Sequence, residues 1–348
     1  MKYTRNTRRK IGALQLIACI GLTLALLTAS ANAQNPTHNP LLGQSNPASR
    51  GFHVTGSLPT QDTLWGPAPR SVNPPSITVS YGTLDYPRVP DSGASGINKN
   101  GQIVGAFNIT TSGCSAGYLQ AGISFRKIAY PGATQSCPVG INDLGEIAGG
   151  YSTDGGNTYH VFSLSGTTFS AIPDPPGAVD TTPEGIDNSG RIVGAYVDSS
   201  DNVHGFVYSN GAYTVIDVPG TNYTFLRAVS PNGTIMAGDY TGADGHDHGF
   251  LLKGGVFTTV NYPGAVDTEL LGVNDFGNYV GNWGDGTIVE SYLEYNAFLF
   301  KGGSYVSLTL PWAGVSVTWP SALNNRAQIA GLYVDSNGII LGFYAVAQ

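Results

Sequence analysis

The sequence predicts an all-β chain whose folded part, from 76 to 348, is a closed six-bladed β-propeller with four-stranded blades of about 44 residues each. Three observations predict it. A glycine ending a short apolar strand recurs at Gly105, Gly149, Gly194, Gly238, Gly281 and Gly331. An aromatic follows at Tyr118, Phe162, Phe206, Phe250, Phe298 and Phe343. A proline then closes a third strand at Pro87, Pro131, Pro176, Pro219, Pro263 and Pro311. Three independent markers sharing one period define a repeat, and four antiparallel strands in a unit of this length make one propeller blade.

Each unit opens on a turn such as GINKNGQIVGAF or GVNDFGNYVGNW. Short runs rich in β-branched and aromatic residues, punctuated by Gly, Asn, Asp and Pro, are strand and turn chemistry. They define strand A (the IVGAY type), strand B (HGFVY), strand C (YTVID) and strand D, the short stretch running into GIN. The first marker is the C-strand Pro87 and the last is the B-strand Phe343. The chain is therefore expected to enter with strands C and D and to leave with A and B. Its two ends would complete one blade, latching the ring and leaving no sheet edge open.

The folded part is preceded by two segments of different character. The first ten residues carry five positive charges and no acid, an apolar stretch runs from Ile11 to Leu27, and small residues stand at Ala31 and Ala33. This is the layout of a signal peptide over 1–33, cleaved before Gln34. Leu16 to Cys19 also fit a lipoprotein box, but the residues after Cys19 stay apolar. The stretch 34–75, rich in Asn, Pro, Ser and Gly without periodicity, reads as a flexible spacer.

With the five leading charges gone, 11 of the 16 basic residues remain against 23 acids, a formal charge of −12. Nucleic acid is a poor partner for such a surface, and no stable membrane insertion is expected once the signal is cleaved. The mature chain keeps Cys114 and Cys137, an even pair that outside the cytoplasm predicts a disulfide, here bracing one repeat. The expected location is extracellular or periplasmic.

The combination GIN-x-x-G-x-I-V-G-x-Y, then H-G-F or N-A-F, then T-x-I-D-x-P-G-A resembles the HAF-type extracellular repeat proteins of bacteria over about 76 to 348. The resemblance implies export and repeat architecture, and no established activity.

Candidate chemistry is sparse. His160, His204 and His248 hold one place in three successive units, at the start of strand B, where a hydrogen bond within the hairpin is the expected role. Ser152 to Tyr159 follow the Asp-box pattern S-x-D-x-G-x-T-W with Tyr for Trp, a hairpin brace. Gly113 to Gly117 satisfy G-x-S-x-G, yet no helix pattern follows as a nucleophile elbow requires. No zinc, phosphate-loop, dinucleotide or EF-hand motif is present, so no catalytic residue, metal or cofactor is expected.

Loop length points to a binding face. The A-to-B and C-to-D loops share one face of an antiparallel blade, and the tight turns share the other. From the A-strand glycine to the B-strand aromatic the spacing is 12 or 13 residues in five units and 17 between Gly281 and Phe298. From Pro311 to Gly331 it is 20, against 18 or 19 elsewhere. These two loops, read as belonging to one blade, carry Trp283, Asp285, Glu290, Tyr292, Glu294, Tyr295, Trp312 and Trp319, and Asp180, Asp267 and Glu269 would line the same face. Aromatics beside carboxylates suit stacking on sugar rings with hydrogen bonds to hydroxyls, although a packed aromatic core under a longer loop is an equal alternative. The reading is a monomeric, non-enzymatic binding or surface-interaction module for an extracellular glycan or protein ligand. The alternative is a polysaccharide-active hydrolase or lyase using two loop-face carboxylates.

Overall fold

A computed structural model describes residues 77–84, 86, 89, 91–110, 113–286, 288–289, 292–293 and 295–348. The expected signal peptide, its cleavage before Gln34 and the spacer over 34–75 lie outside the described residues, as do Pro87, Glu290 and Glu294. Among the described residues there is no helix, hence none long and apolar enough to cross a membrane.

The chain begins with β1 (Val79–Leu84), which is set aside for the last blade. Blade 1 contains β2 (Gly93–Ile97), β3 (Ile103–Thr110), β4 (Gly113–Ala121) and β5 (Ser124–Ile128). Blade 2 contains β6 (Gln135–Ile141), β7 (Ile147–Ser152), β8 (His160–Ser165) and β9 (Thr168–Ile172). Blade 3 contains β10 (Ala178–Ile186), β11 (Ile192–Asp198), β12 (Val203–Ser209) and β13 (Ala212–Ile216). Blade 4 contains β14 (Thr224–Val229), β15 (Ile235–Thr241), β16 (Asp247–Lys253) and β17 (Val256–Val260). Blade 5 contains β18 (Asp267–Val273) and β19 (Tyr279–Gly284), a separate hairpin of β20 (Ile288–Val289) and β21 (Tyr292–Leu293), then β22 (Asn296–Lys301) and β23 (Ser304–Ser307). Blade 6 contains β24 (Val317–Leu323), β25 (Gln328–Val334) and β26 (Ile340–Ala347), completed by β1 on its outer edge.

The six-bladed propeller and its latch are thus present, with two corrections to the expected strand bookkeeping. Strand D belongs to the blade that follows it, because the GIN turn joins it directly to strand A as a hairpin, while the proline-bearing loop after strand C crosses to the next blade. The N-terminus therefore closes the ring with one strand, β1, paired with β26 from Val79↔Ala347 to Leu84↔Gly342. The second correction concerns the disulfide. Cys114–Cys137 is formed, but it ties β4 of blade 1 to β6 of blade 2 and so staples two blades.

The markers have a packing explanation. Each A-strand glycine lies directly opposite the B-strand aromatic of its own blade, from Gly105↔Tyr118 to Gly331↔Phe343. The six aromatics are fully buried. A Cβ on Gly149 would meet the Phe162 ring at 2.3 Å, and one on Gly281 the Glu269 carbonyl oxygen at 2.1 Å and the Phe298 ring at 3.0 Å, so the facing ring and the backbone of the neighbouring strand together occupy the space a side chain would need.

The asparagine of GIN closes the axis. Asn142 Oδ1 accepts from the Leu144 and Glu146 amides at 3.0 and 2.9 Å, and its Nδ2 donates at 2.9 Å to the Asp187 carbonyl of the next blade. Asn98 donates likewise to the Asn142 carbonyl, Asn274 to Asn324, and Asn324 to Asn98 across the latch. One residue type thus caps its own turn and bonds the neighbouring blade.

Candidate functional site

Equivalent places on the six innermost strands supply Ser95, Val139, Glu184, Arg227, Leu271 and Ser321, which surround one narrow cavity of about 10 Å³ together with Trp319. That cavity lies on the ring axis. Towards the GIN turns it adjoins a cavity of about 70 Å³ whose wall includes Asn98, Asn142 and Asn188.

Arg227 organises the other side. It is 5% exposed, stacks on the Phe225 ring at 4.3 Å, and ion-pairs with Asp239 through Nε and with Glu269 through Nη2 at 3.6 Å. Three strands place this group: β14 carries Arg227, β15 carries Asp239 and β18 carries Glu269. A bulge between Leu226 and Ala228 falls at Arg227, and such an irregularity re-aims a side chain. Asp267, two residues before Glu269, accepts from the Asp247 amide at 3.0 Å and meets His246 Nδ1 at 3.2 Å.

One cation therefore stands among four acids, and the carboxyls respond. Burial pushes Glu269 up to about 8, against the pull of Arg227 and reinforced by Asp239, Asp247 and Asp267. Burial likewise raises Asp239 to about 6 despite Arg227, and raises Asp247. Tyr295, at the end of the lengthened loop of blade 5, has its hydroxyl raised by burial and then by Glu269, Asp247, Asp267 and Asp239. Its ring lies 6.1 Å from that of Trp319.

Of the residues singled out from sequence, Glu269 and Asp267 belong to this cluster, and Trp319, 5% exposed, borders it on the axis. Asp180 is not brought to this cluster: half-buried on β10, it accepts from the Tyr159 amide of blade 2 at 2.9 Å and is pushed by burial up to about 6. Trp283 is half-buried and stacks on Tyr262 at 4.6 Å with 1° between planes. The same pairing recurs as Tyr86 with Phe107 and Tyr130 with Tyr151, so this tryptophan holds a repeat position that packs the blade. Trp312 packs on Tyr333 in the core of blade 6. Asp285 is exposed, and Tyr292 lies in the β20–β21 hairpin. The two lengthened loops do not belong to a single blade: one joins β19 to β22, and the other leads from β23 into β24 of blade 6.

Arg227, Asp239 and Asn282 escaped the sequence reading, yet a signal exists. After the A-strand glycine stand Ala106, Gly150, Ala195, Asp239, Asn282 and Leu332, and the two polar departures both sit beside the cluster. The recurrent histidines hydrogen-bond as expected: His160 to Asp174 at 2.7 Å, His204 to Asp217 at 2.8 Å and His248 to Asn261 at 3.1 Å. Ser152 Oγ and Asp154 bind the amides of Gly156, Asn157 and Thr158, the expected brace. Among the described residues no group of three or more His, Cys, Asp and Glu side chains converges as a metal site.

The chain matches no protein-family model and no curated protein. Solved structures share its fold. A TolB-like protein of Agrobacterium tumefaciens aligns at 12% identity over 78% of this chain and 98% of that one, with a TM-score of 0.55. Virginiamycin B lyase from Staphylococcus aureus aligns at 10% identity over 77% and 99%, TM-score 0.45, and the six-bladed lectin of Aleuria aurantia at 13% over 74% and 91%, TM-score 0.44. At such identities the likeness is one of architecture.

Proposed function

We propose that this chain is an exported, non-enzymatic binding module of the HAF-type repeat kind, monomeric, which takes a carbohydrate at the axial mouth on the face of the A-to-B and C-to-D loops. One observation carries the reading: Arg227, Asp239, Glu269 and Asp267 come from two adjacent blades of a rigid ring to one cluster, Arg227 shares the axial cavity with Trp319, and Tyr295 packs against that tryptophan. Carboxylates and a guanidinium offer fixed acceptors and donors for hydroxyls, and aromatic rings offer a stacking edge. The disulfide supports an oxidising compartment.

Titration calorimetry of the mature chain against a panel of neutral, acidic and amino oligosaccharides tests this. Tyr295→Ala should weaken the best ligand by about 1 to 3 kcal/mol, with melting nearly unchanged. Absence of binding across the panel would refute the reading.

A second reading, a polysaccharide-active hydrolase or lyase, is favoured by the way burial raises Glu269 further than Asp239, the ordering that a general acid paired with a carboxylate base requires. Release of new reducing ends, abolished in Glu269→Gln, would establish it in place of the first.

A further inference from the structure

Because the blades repeat, the way one seam between blades is filled measures what another lacks. At the joint of blades 4 and 5, a row of facing side chains crosses blade 5 as Tyr279, Phe300 and Tyr305. The Tyr279 and Phe300 rings stack at 4.6 Å with 9° between planes. At the joint of blades 1 and 2 the row is the smaller Ile147, Leu164 and Phe169, and Arg126 spans the seam from blade 1, its Nη1 donating to the Gly166 carbonyl at 2.9 Å. The joint of blades 3 and 4 has neither device. Its row is Met236, Leu252 and Phe257, and Thr214 stands in the register place of Arg126. A cavity of about 330 Å³ opens there, lined by these four side chains and Ile216.

The backbone holds this cavity open. In the other five blades the turn after the innermost strand closes from residue i to i+4, as from the Asn142 amide to the Glu146 carbonyl. In blade 4 it closes one residue later, from the Ser230 amide to the Ile235 carbonyl. The longer turn brings Gly233 and Thr234 into the cavity wall and is pinned on both sides. Arg191 Nη2 of blade 3 donates to the Gly233 carbonyl at 2.8 Å, and the Asn232 amide donates to Asp275 of blade 5 at 2.9 Å. A wall fixed in this way is preorganised for an occupant.

Size, lining and charge select that occupant. An apolar cavity of about 150 Å³ holds benzene. The present one is about twice as large, room for two rings, as many as stack in the next seam. Met236 offers a thioether and Phe257 a ring, and both favour aromatic contacts. Asp217 is the single titratable residue of the lining, and its carboxylate is paired with His204 Nδ1 at 2.8 Å. An anion would find no cationic group in the lining, and a cation would compete with His204. The Thr214 and Thr234 hydroxyls suit one polar substituent.

We infer that the seam between blades 3 and 4 binds a neutral aromatic compound of two rings bearing a hydroxyl, its rings taking the place that Tyr279 and Phe300 fill one seam further on. This site shares no residue with the cavities on the axis and does not depend on the carbohydrate reading.

The test is calorimetry of the mature chain at pH 7 with β-naphthol, its carboxylate analogue β-naphthoate and the saturated alcohol decahydronaphthol. β-Naphthol should bind one to one and at least about tenfold more tightly than the other two. Leu252→Phe installs the ring that blade 5 carries as Phe300 and should lower β-naphthol affinity at least about tenfold, with melting unchanged or raised. Should that variant fail to melt cooperatively, Thr214→Arg covers the opening as Arg126 does between blades 1 and 2, with a loss of about threefold or more. Equal binding of decahydronaphthol would overturn the aromatic occupant, and equal binding of β-naphthoate the neutral one. Affinity unmoved in a variant that melts cooperatively, or no binding of β-naphthol, would overturn the site itself.

Discussion

Replacing Glu269 by Gln should stabilise this protein above neutral pH and flatten the pH dependence of its melting. The carboxyl is 8% exposed, and burial moves it from 4.5 up to about 8 against the attraction of Arg227. A carboxyl raised on folding holds its proton more tightly in the native chain than in the unfolded one. Its contribution to stability is fully present below about 4.5 and is lost as pH rises through about 8. At about 1.4 kcal/mol per pH unit the loss is bounded at about 5 kcal/mol. Sharing of protons with Asp239, which moves in the same direction, and entry of water reduce this to about 2 to 4 kcal/mol. In a domain of this size each kcal/mol shifts melting by about 2 to 4 °C. The Gln variant should therefore melt about 5 to 15 °C above the parent at pH 9 and close to it at pH 4. Calorimetric melts from pH 4 to 9 on both proteins decide the matter. Parallel Tm curves would show that Glu269 does not carry the linkage, and the electrostatic account of the mouth would fall with it.

Three further outcomes follow from the fold. Cys114→Ala with Cys137→Ala releases a cross-link between residues 23 apart, which should cost about 3 kcal/mol and show as a lower midpoint in urea; an unchanged midpoint would contradict the blade-to-blade staple. Deleting 34–73 should leave melting unchanged, whereas deletion through residue 87 removes β1, bares the edge of β26 and should give aggregation, read by light scattering. Asn142→Ala removes an amide that bonds two amides of its own turn and a carbonyl of the next blade; the expected cost is about 2 to 4 kcal/mol, measured by urea unfolding, with Asn100→Ala as the exposed control in a neighbouring turn.

The repeat was legible because packing imposes it locally and six times over. A glycine is required wherever an aromatic covers the facing strand, so Gly194 and Phe206 announce a cross-strand pair before any coordinate exists. The latch followed from the order of those markers alone. Strand D was harder to place, because its pairing with the blade ahead depends on where the loop after Pro131 or Pro176 travels, which no local pattern records. Trp283 shows how a repeat position can be concealed by a rare residue. Its rarity drew attention to ligand binding, while its register with Phe107 and Tyr151, visible in the same alignment, marks an aromatic that packs the blade.

By itself the sequence determined the strand content, the sixfold repeat, the joining of the two ends and the pair of cysteines, since each rests on periodicity, turn chemistry or count. Tertiary structure alone decided which blades the disulfide joins and which polar residues meet at the axis. Arg227, Asp239 and Glu269 are separated by 12 and 30 positions in the chain, and their meeting depends on how two adjacent blades pack around the axis. Their chemistry is likewise a product of burial: a carboxylate that is ordinary in water becomes a proton-holding group only when the folded ring removes its solvent and leaves it one arginine to share.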